Sequence, residues 1–148
     1  MEIQHIGKEE RIEDFVQSLL EVWESSVRAT HDFLRVGDVE YLRPFVEQGI
    51  REVPLLFCVE ENEMPAGFLG MEGDSIEMLF VHADFRGRGI GSTLMREALL
   101  LGASRVDVNE QNPQALGFYR CFGFEVAARD ELDSLGLPYP ILHCTLKK

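Results

Sequence analysis

Cysteine, basic side chains and long apolar runs are all scarce in this sequence. Its three cysteines, Cys58, Cys121 and Cys144, include no Cys-x-x-Cys pair. The pattern predicts free thiols and argues against a disulfide framework or a thiolate zinc site. No apolar run approaches the roughly 18 residues that a membrane helix needs, and the first residues lack the basic and apolar regions of a signal peptide. We therefore expect a cytoplasmic protein.

The shortage of basic residues leaves a strong negative charge. There are 14 lysines and arginines against 26 acidic residues, which gives a formal net charge of −12. Such a surface repels nucleic acid and anionic lipid, so neither is an expected partner. The same field would attract a cationic substrate, although it can also serve solubility alone. His5, His82 and His143 are scattered without the spacing of metal ligands, and no metal is expected.

The length and the apolar spacing together predict one mixed α/β domain over residues 1–148. A helix is predicted from Glu9 to Arg28, and a second from Val39 to Ile50, where Pro44 argues for a break or a late start. Three runs joined by short turns predict an antiparallel meander, namely residues 55–60, 66–71 and 75–82.

The second half of the chain predicts a crossover followed by two more strands. A helix from Gly89 to Leu101 lies between the strand 75–82 and a strand at Arg105–Asn109, so these two strands should be parallel neighbours. Asn112 as N-cap and Pro113 at the first helical position begin a short helix. The remaining predicted strands are Phe124–Ala128 and Ile141–Leu146.

A glycine-rich loop follows the strand 75–82 and precedes the central helix. Its glycines let backbone N–H groups approach a ligand, the helix N-terminus favours an anion, and Arg86 and Arg88 add positive charge. These features predict a phosphate-binding element, with a purely structural turn as the alternative. No lysine precedes Ser92 as a Walker A motif requires, and Ser92 also replaces the last glycine of a dinucleotide fingerprint.

Two motifs resemble those of one enzyme family. Arg86-x-x-Gly89-x-Gly91 resembles the [QR]xxGx[GA] signature of the GNAT acyl-CoA N-acyltransferases, and the segment 112–124 resembles that family's NxxAxxFYxxxGF segment. They occur in the family's order with a predicted strand between them. Three further segments resemble small bacterial members of the family, at residues 29–33, 108–112 and 136–140.

The resemblance implies a fold, an activity and a co-substrate. The expected fold is the GNAT fold, a central mixed, mostly antiparallel sheet flanked by helices. The expected activity is transfer of an acetyl group from acetyl-CoA to a primary amine by direct attack in a ternary complex. The acceptor could be a small molecule, a peptide N-terminus or a lysine. A non-catalytic acyl-CoA sensor and a plain interaction domain remain alternatives, and the protein could be a monomer or a homodimer.

The resemblance also implies which residues hold acetyl-CoA. Backbone groups of the strand end would pair with the pantetheine arm, and the glycine loop with the following helix start would bind the pyrophosphate. The expected cofactor-binding residues are Phe80, Val81, Arg86, Gly87, Arg88, Gly89, Ile90, Gly91, Ser92 and Asn112.

The reaction needs a proton donor for the departing thiolate and a base that accepts a proton from the amine. Tyr119, which the resemblance points at the thioester sulfur, is a suitable donor because a phenol pKa of ~10 lies near that of a thiol, ~8.5. Glu77 should share a strand face with Leu79 and Val81 and could act as base, directly or through water. Asn109 could hold the amine or a water.

Each of these residues also has a simpler structural interpretation. Tyr119 could be a packed helix residue, Glu77 an exposed strand residue, and Asn109 a strand-end cap. Three aromatic or imidazole side chains of the N-terminal helices could line an acceptor pocket or serve only packing and helix ends: His31, Trp23 and Tyr41.

Overall fold

The computed structural model describes residues 1–30 and 32–147, which form seven strands and four longer helices. In chain order these are β1 (Ile3–His5), α1 (Glu13–Thr30), α2 (Asp38–Glu52), β2 (Leu55–Glu61), β3 (Met64–Glu72), β4 (Ser75–Val81), α3 (Ile90–Leu100), β5 (Arg105–Asn109), α4 (Pro113–Cys121), β6 (Phe124–Asp130) and β7 (Ile141–Leu146). No helix in these two ranges is both long and apolar enough to cross a membrane.

The strands form one sheet in the order β1-β2-β3-β4-β5-β7-β6. Every neighbouring pair is antiparallel except β4 and β5, which are parallel because α3 crosses between them. The predicted fold class, the β2–β4 meander and the β4–α3–β5 crossover are all confirmed.

Each face of the sheet carries its own apolar layer. On one face α3 and α4 pack through a cluster that includes Leu94, Met95 and Tyr119. On the other, α1 and α2 pack through a cluster that includes Trp23 and Ile50. The sheet is therefore covered on both sides along its central strands, as alternating strand side chains require.

The expected break of the second helix at Pro44 is wrong. α2 runs from Asp38 to Glu52 with Pro44 in its interior. Pro44 is exposed, and the loss of one backbone hydrogen bond is offset because Val39 and Ile50 anchor the two ends of the helix in the apolar layer.

The first helix starts at Glu13, later than the expected Glu9, because Arg11 turns into the protein. Its guanidinium is buried and donates hydrogen bonds to the carbonyl oxygens of Ile50, Arg51 and Val53 at the end of α2, and to that of Ile6. The carbonyls of Ile50, Arg51 and Val53 lie at the negative end of the α2 dipole, where a cation is stabilised. A short helical turn, Lys8–Glu10, lies directly before Arg11.

Candidate functional site

The candidate site is a gap in the sheet between β4 and β5. These strands pair only through Ser75 with Arg105 and Ile76 with Val106, and then separate. A cavity of about 410 Å³ occupies the gap. Beyond Ile76, no strand within residues 1–30 and 32–147 pairs with the side of β4 that faces the gap, while its other side pairs with β3 as far as Val81.

The cavity is open to both layers of the fold. Gly91, Phe118 and Tyr119 line it from the side of α3 and α4. Ser26 and Thr30 of α1 line it from the opposite side. Two ligands that approach from opposite faces of the sheet could therefore meet in the gap.

The glycine loop lies at the α3 side of this cavity. Gly87 and Gly89 have φ values of 78° and 83°, which an L-residue rarely adopts, so the loop path depends on these glycines. The first helical bond of α3 runs from Thr93 N–H to the Gly89 carbonyl, at 2.9 Å. The three preceding N–H groups, those of residues 90–92, consequently lack intrahelical acceptors, as at any helix start.

The two loop arginines are placed differently. Arg86 lines the cavity, and its Nη2 donates to Gln114 Oε1 at the start of α4, at 3.0 Å. The Arg88 guanidinium lies over the Phe85 ring at 5.2 Å from its centroid and is not part of the cavity wall. Gly91 also lines the cavity, whereas the Ile90 side chain is buried in the apolar layer.

Tyr119 lies on α4 with its side chain almost wholly buried. Its ring packs edge-on against Phe118 and Phe124, with centroids 5.3 and 6.0 Å away. Burial raises the pKa of the Tyr119 hydroxyl well above its usual value, and Cys144 adds a smaller effect in the same direction. The hydroxyl therefore stays protonated and can act as a hydrogen-bond donor in the cavity it lines.

Glu77 occupies a β-bulge, which corrects the simple alternation predicted for β4. Met71 pairs with Ile76 and Gly70 pairs with Met78, so Glu77 is the additional residue. A bulge redirects a side chain, and Glu77 lines the cavity.

The pKa of the Glu77 carboxyl is raised, although much of the side chain is exposed. Partial burial at the cavity wall is the largest cause. The charges of Glu72 and Asp107 also raise it, while the Ser75 hydroxyl and Arg105 act in the opposite direction. A carboxylate with a raised pKa is a stronger base than an ordinary one.

Both asparagines cap local structure and also line the cavity. Asn112 Oδ1 accepts from Ala115 N–H at the start of α4, and Asn109 Oδ1 accepts from Gln111 N–H after β5, each at 3.1 Å. The caps use only the amide oxygens, so the amide nitrogens are not engaged by them.

Comparison with known proteins identifies the family. Residues 54–126 match the family described as Acetyltransferase (GNAT) domain. YjaB of Salmonella typhimurium, named a peptidyl-lysine N-acetyltransferase, is 42% identical over 128 residues, covering 86% of this chain and 88% of that protein. This chain belongs to the GNAT acetyltransferase family. It is an acetyl-CoA-dependent N-acetyltransferase, as the two motifs imply.

Solved GNAT structures share its fold. The solution structure of apo YjaB from Escherichia coli aligns with a TM-score of 0.82 at 38% identity, covering 98% of this chain and 97% of that one. The PaiA N-acetyltransferase of Thermoplasma acidophilum, solved in complex with coenzyme A, aligns with a TM-score of 0.70 at 19% identity, covering 97% and 98% of the two chains.

Of the residues expected to line an acceptor pocket, Trp23 and Tyr41 do not line this cavity. Trp23 is 3% exposed and packs in the core between α1 and α2. Tyr41 is exposed on α2 beside Phe45. Neither lines the cavity, so their placement gives the acceptor role no support. His31 lies outside the described residues.

Sequence reasoning missed an ionic network at the wall of the cavity. Asp107 of β5 lines the cavity and pairs with His143 of β7, which in turn pairs with Asp130 of β6. Within residues 1–30 and 32–147, no group of three such side chains is arranged to hold a metal ion. Alternation along β5 could have marked Asp107 as facing away from the apolar Val106, but the β5–β7 register was not readable.

Proposed function

We propose that this GNAT enzyme acetylates the side-chain amine of lysine in peptides, by direct attack within a ternary complex. The observation that carries the proposal is the cavity in the β4–β5 gap, which Tyr119 lines from one face of the sheet and Ser26 and Thr30 from the other. The YjaB relative is named a peptidyl-lysine N-acetyltransferase, which supports lysine as the acceptor.

Residues on the α3 side fit acetyl-CoA. The unpaired side of β4 near Phe80 and Val81 offers backbone groups to an extended pantetheine arm, which would add to the sheet as a strand does. The first N–H groups of α3 and the Arg86 guanidinium suit a pyrophosphate. Asn112, with its amide nitrogen not used by the helix cap, could donate to the arm.

The reacting atoms would meet beside Tyr119. Acetyl-CoA supplies a thioester whose C–S bond breaks as a C–N bond forms to the acceptor nitrogen. Because the Tyr119 pKa lies above that of a thiol, the hydroxyl favours a hydrogen bond to the departing sulfur over complete proton transfer. That bond strengthens as negative charge develops on sulfur, so it stabilises the transition state more than the ground state.

The acceptor must lose a proton before it can attack. A lysine is mostly protonated at neutral pH, with a reference pKa of ~10.4. We infer that Glu77 takes the proton, directly or through a water, because it lines the cavity and its raised pKa suits this role. Asn109 could orient the amine through the amide nitrogen that its own cap leaves unused.

The test is acetyl transfer to defined peptides. The purified protein is incubated with acetyl-CoA and an N-terminally blocked peptide that carries one lysine, and thiol release and peptide mass are measured. We expect coenzyme A and acetyl-lysine to appear in equal amounts. A peptide with the lysine replaced by norleucine is the control. Acetyl-CoA binding without transfer to any amine would instead favour the sensor alternative.

A further inference from the structure

Two carboxylates flank the point at which β4 and β5 separate. Ile76 and Val106 form the last parallel pair, so Glu77 and Asp107 are the next positions along the two strands. Both line the cavity, and the charge of Asp107 acts on Glu77. Like charges on neighbouring strands oppose each other unless a cation is shared between them.

Asp107 is held in place from the next strand. Its Oδ1 accepts from His143 Nδ1 at 2.7 Å, and the two residues are direct cross-strand partners. His143 Nε2 is 2.7 Å from Asp130 Oδ2 on β6. Oδ1 of Asp107 is therefore fixed by the imidazole, and 64% of the Asp107 side chain is exposed, so a ligand can reach this carboxylate.

One cation near this pair, Arg105, is already engaged. Arg105, whose charge acts on Glu77, donates from Nε and Nη2 to Asp74 Oδ1 at 2.9 and 2.7 Å. Asp74 also accepts from the Ser104 hydroxyl, so this pairing is part of a separate turn at the far end of β5. Glu77 and Asp107 therefore line the cavity while the charge of Arg105 is paired with Asp74.

We propose that Glu77 and Asp107 together bind the ammonium group of the acceptor lysine, with His143 as the residue that positions Asp107. The inference rests on the proposed function and assigns its specificity. Asp107 differs from Asp130, the other carboxylate of the network, because only Asp107 lines the cavity. The pair selects a cationic amine over a neutral side chain of equal length.

The two carboxylates have different roles in the reaction. The ammonium binds between them, and one of its N–H protons passes to Glu77, which leaves a neutral amine with a free electron pair. Asp107 contributes its carboxylate to ammonium binding, and the hydrogen bond from His143 holds that carboxylate in position. The proton on Glu77 then leaves to solvent, since much of that side chain is exposed.

Binding of two lysine analogues tests the pair without any dependence on turnover. Capped lysine amide and capped norleucine amide are titrated into the coenzyme A complex, and each Kd is measured by NMR chemical shifts. We expect Asp107→Asn to lower the lysine-to-norleucine preference about tenfold, since a hydrogen bond to a charged group is lost. Glu125→Gln is the matched control, because Glu125 is exposed near Lys147 and outside the cavity.

Three results would overturn the inference: no preference for lysine in the wild type, an unchanged preference in Asp107→Asn, or an equal loss in Glu125→Gln.

Kinetics then separate this inference from the proposed function. A wild type that acetylates only peptide N-termini would contradict lysine specificity in catalysis, while the binding preference still reports on the pair. For a lysine peptide, we expect Asp107→Asn to raise the acceptor KM about tenfold and to leave the KM for acetyl-CoA within about twofold.

The role of His143 needs a readout that loss of stability would not change. In the wild type the preference for lysine should rise with pH as the imidazolium between Asp107 and Asp130 loses its charge, because the network then becomes more negative. His143→Gln should make that rise smaller while retaining part of the preference. Glu77, Glu72 and Arg105 also face this region, and deprotonation of Glu77 supplies the part of the rise that remains, so the variant is compared with wild type at every pH. An unchanged pH dependence in His143→Gln would exclude the positioning role.

Discussion

The Tyr139 hydroxyl donates a hydrogen bond to the Asp38 carboxylate, although the two residues are 101 positions apart. Both are buried. The backbone N–H of Arg35 contacts the same pair, at 2.9 Å from Asp38 Oδ2 and 3.2 Å from the tyrosine oxygen. This cluster joins the α1–α2 connection to the segment before β7, and so fixes the N-terminal helices relative to the second half of the sheet.

Tyr139→Phe should therefore destabilise the fold. It leaves the buried Asp38 carboxylate with one donor fewer, and an underused buried acceptor is unfavourable. We expect a melting temperature lower by several degrees in a thermal unfolding experiment. Tyr41→Phe is the matched control, because Tyr41 is exposed. Equal melting temperatures for the two variants would contradict a stabilising role of the Tyr139 hydroxyl.

Arg11→Lys should destabilise the fold although the substitution keeps the positive charge. The Arg11 guanidinium serves four carbonyl oxygens from two segments, and a lysine ammonium has only three donors in a different geometry. We expect the free energy of unfolding in urea to fall by about 2 kcal/mol or more. Arg96→Lys is the control, since Arg96 is exposed on α3, and it should leave stability within about 0.5 kcal/mol. Similar values for both variants would contradict this account of Arg11.

Local patterns explain how much of the fold could be predicted. The meander and the crossover follow from short turns and apolar spacing, and both are present. The expected helix break at Pro44 was wrong because tertiary packing at the ends of α2 outweighs one missing hydrogen bond. The burial of Arg11 could not be predicted from the sequence, because the carbonyl groups to which it donates, such as that of Val53, come close to it only in the folded chain.

The site was predictable where it depends on a contiguous segment. Asn112 caps α4 as its position before Pro113 predicts, and Tyr119 of the same motif lines the cavity. Glu77 was selected from strict alternation, which its bulge breaks, although it does line the cavity. His143 was not selected because its link to Asp107 depends on the register between β5 and β7, which spacing does not encode.

Tyr119→Phe should slow transfer without weakening acetyl-CoA binding. Among residues 1–30 and 32–147 the hydroxyl has no hydrogen-bond partner, and the ring contacts to Phe118 and Phe124 do not involve it, so its removal should leave packing intact. We expect kcat with a lysine peptide to fall about 100-fold, and the Kd for acetyl-CoA to change by less than about twofold. Steady-state kinetics and calorimetry measure the two quantities. Full activity in Tyr119→Phe would exclude the hydroxyl as donor to the sulfur.

Arg86→Gln should weaken acetyl-CoA binding more than Arg88→Gln. Arg86 lines the cavity, whereas Arg88 lies over Phe85 outside it. Loss of a charge-assisted bond to pyrophosphate should raise the Kd about tenfold for Arg86→Gln and reduce the dependence of binding on salt. The same titration of Arg88→Gln should give a change below about threefold. Equal effects would indicate that the loop acts through its overall charge.

His143 should make stability depend on pH in a defined direction. Its hydrogen bonds to Asp130 and then Asp107 raise its pKa in the folded protein above the usual value near 6.5. A raised folded pKa means that folding favours the protonated form. The contribution is therefore complete below the unfolded pKa and is lost as pH rises through the folded pKa.

The difference between wild type and His143→Gln isolates this contribution from all other titrating groups. We expect the wild type to be more stable than the variant at about pH 5.5, by an amount that shrinks as pH rises through the raised pKa of folded His143. Urea unfolding at a series of pH values measures the difference. Asp130→Asn removes the bond with the largest effect on the His143 pKa, so it should shift the decline to lower pH. A stability difference that stays constant, or grows as pH rises, would mean that Asp107 and Asp130 do not share a proton-dependent bond with His143.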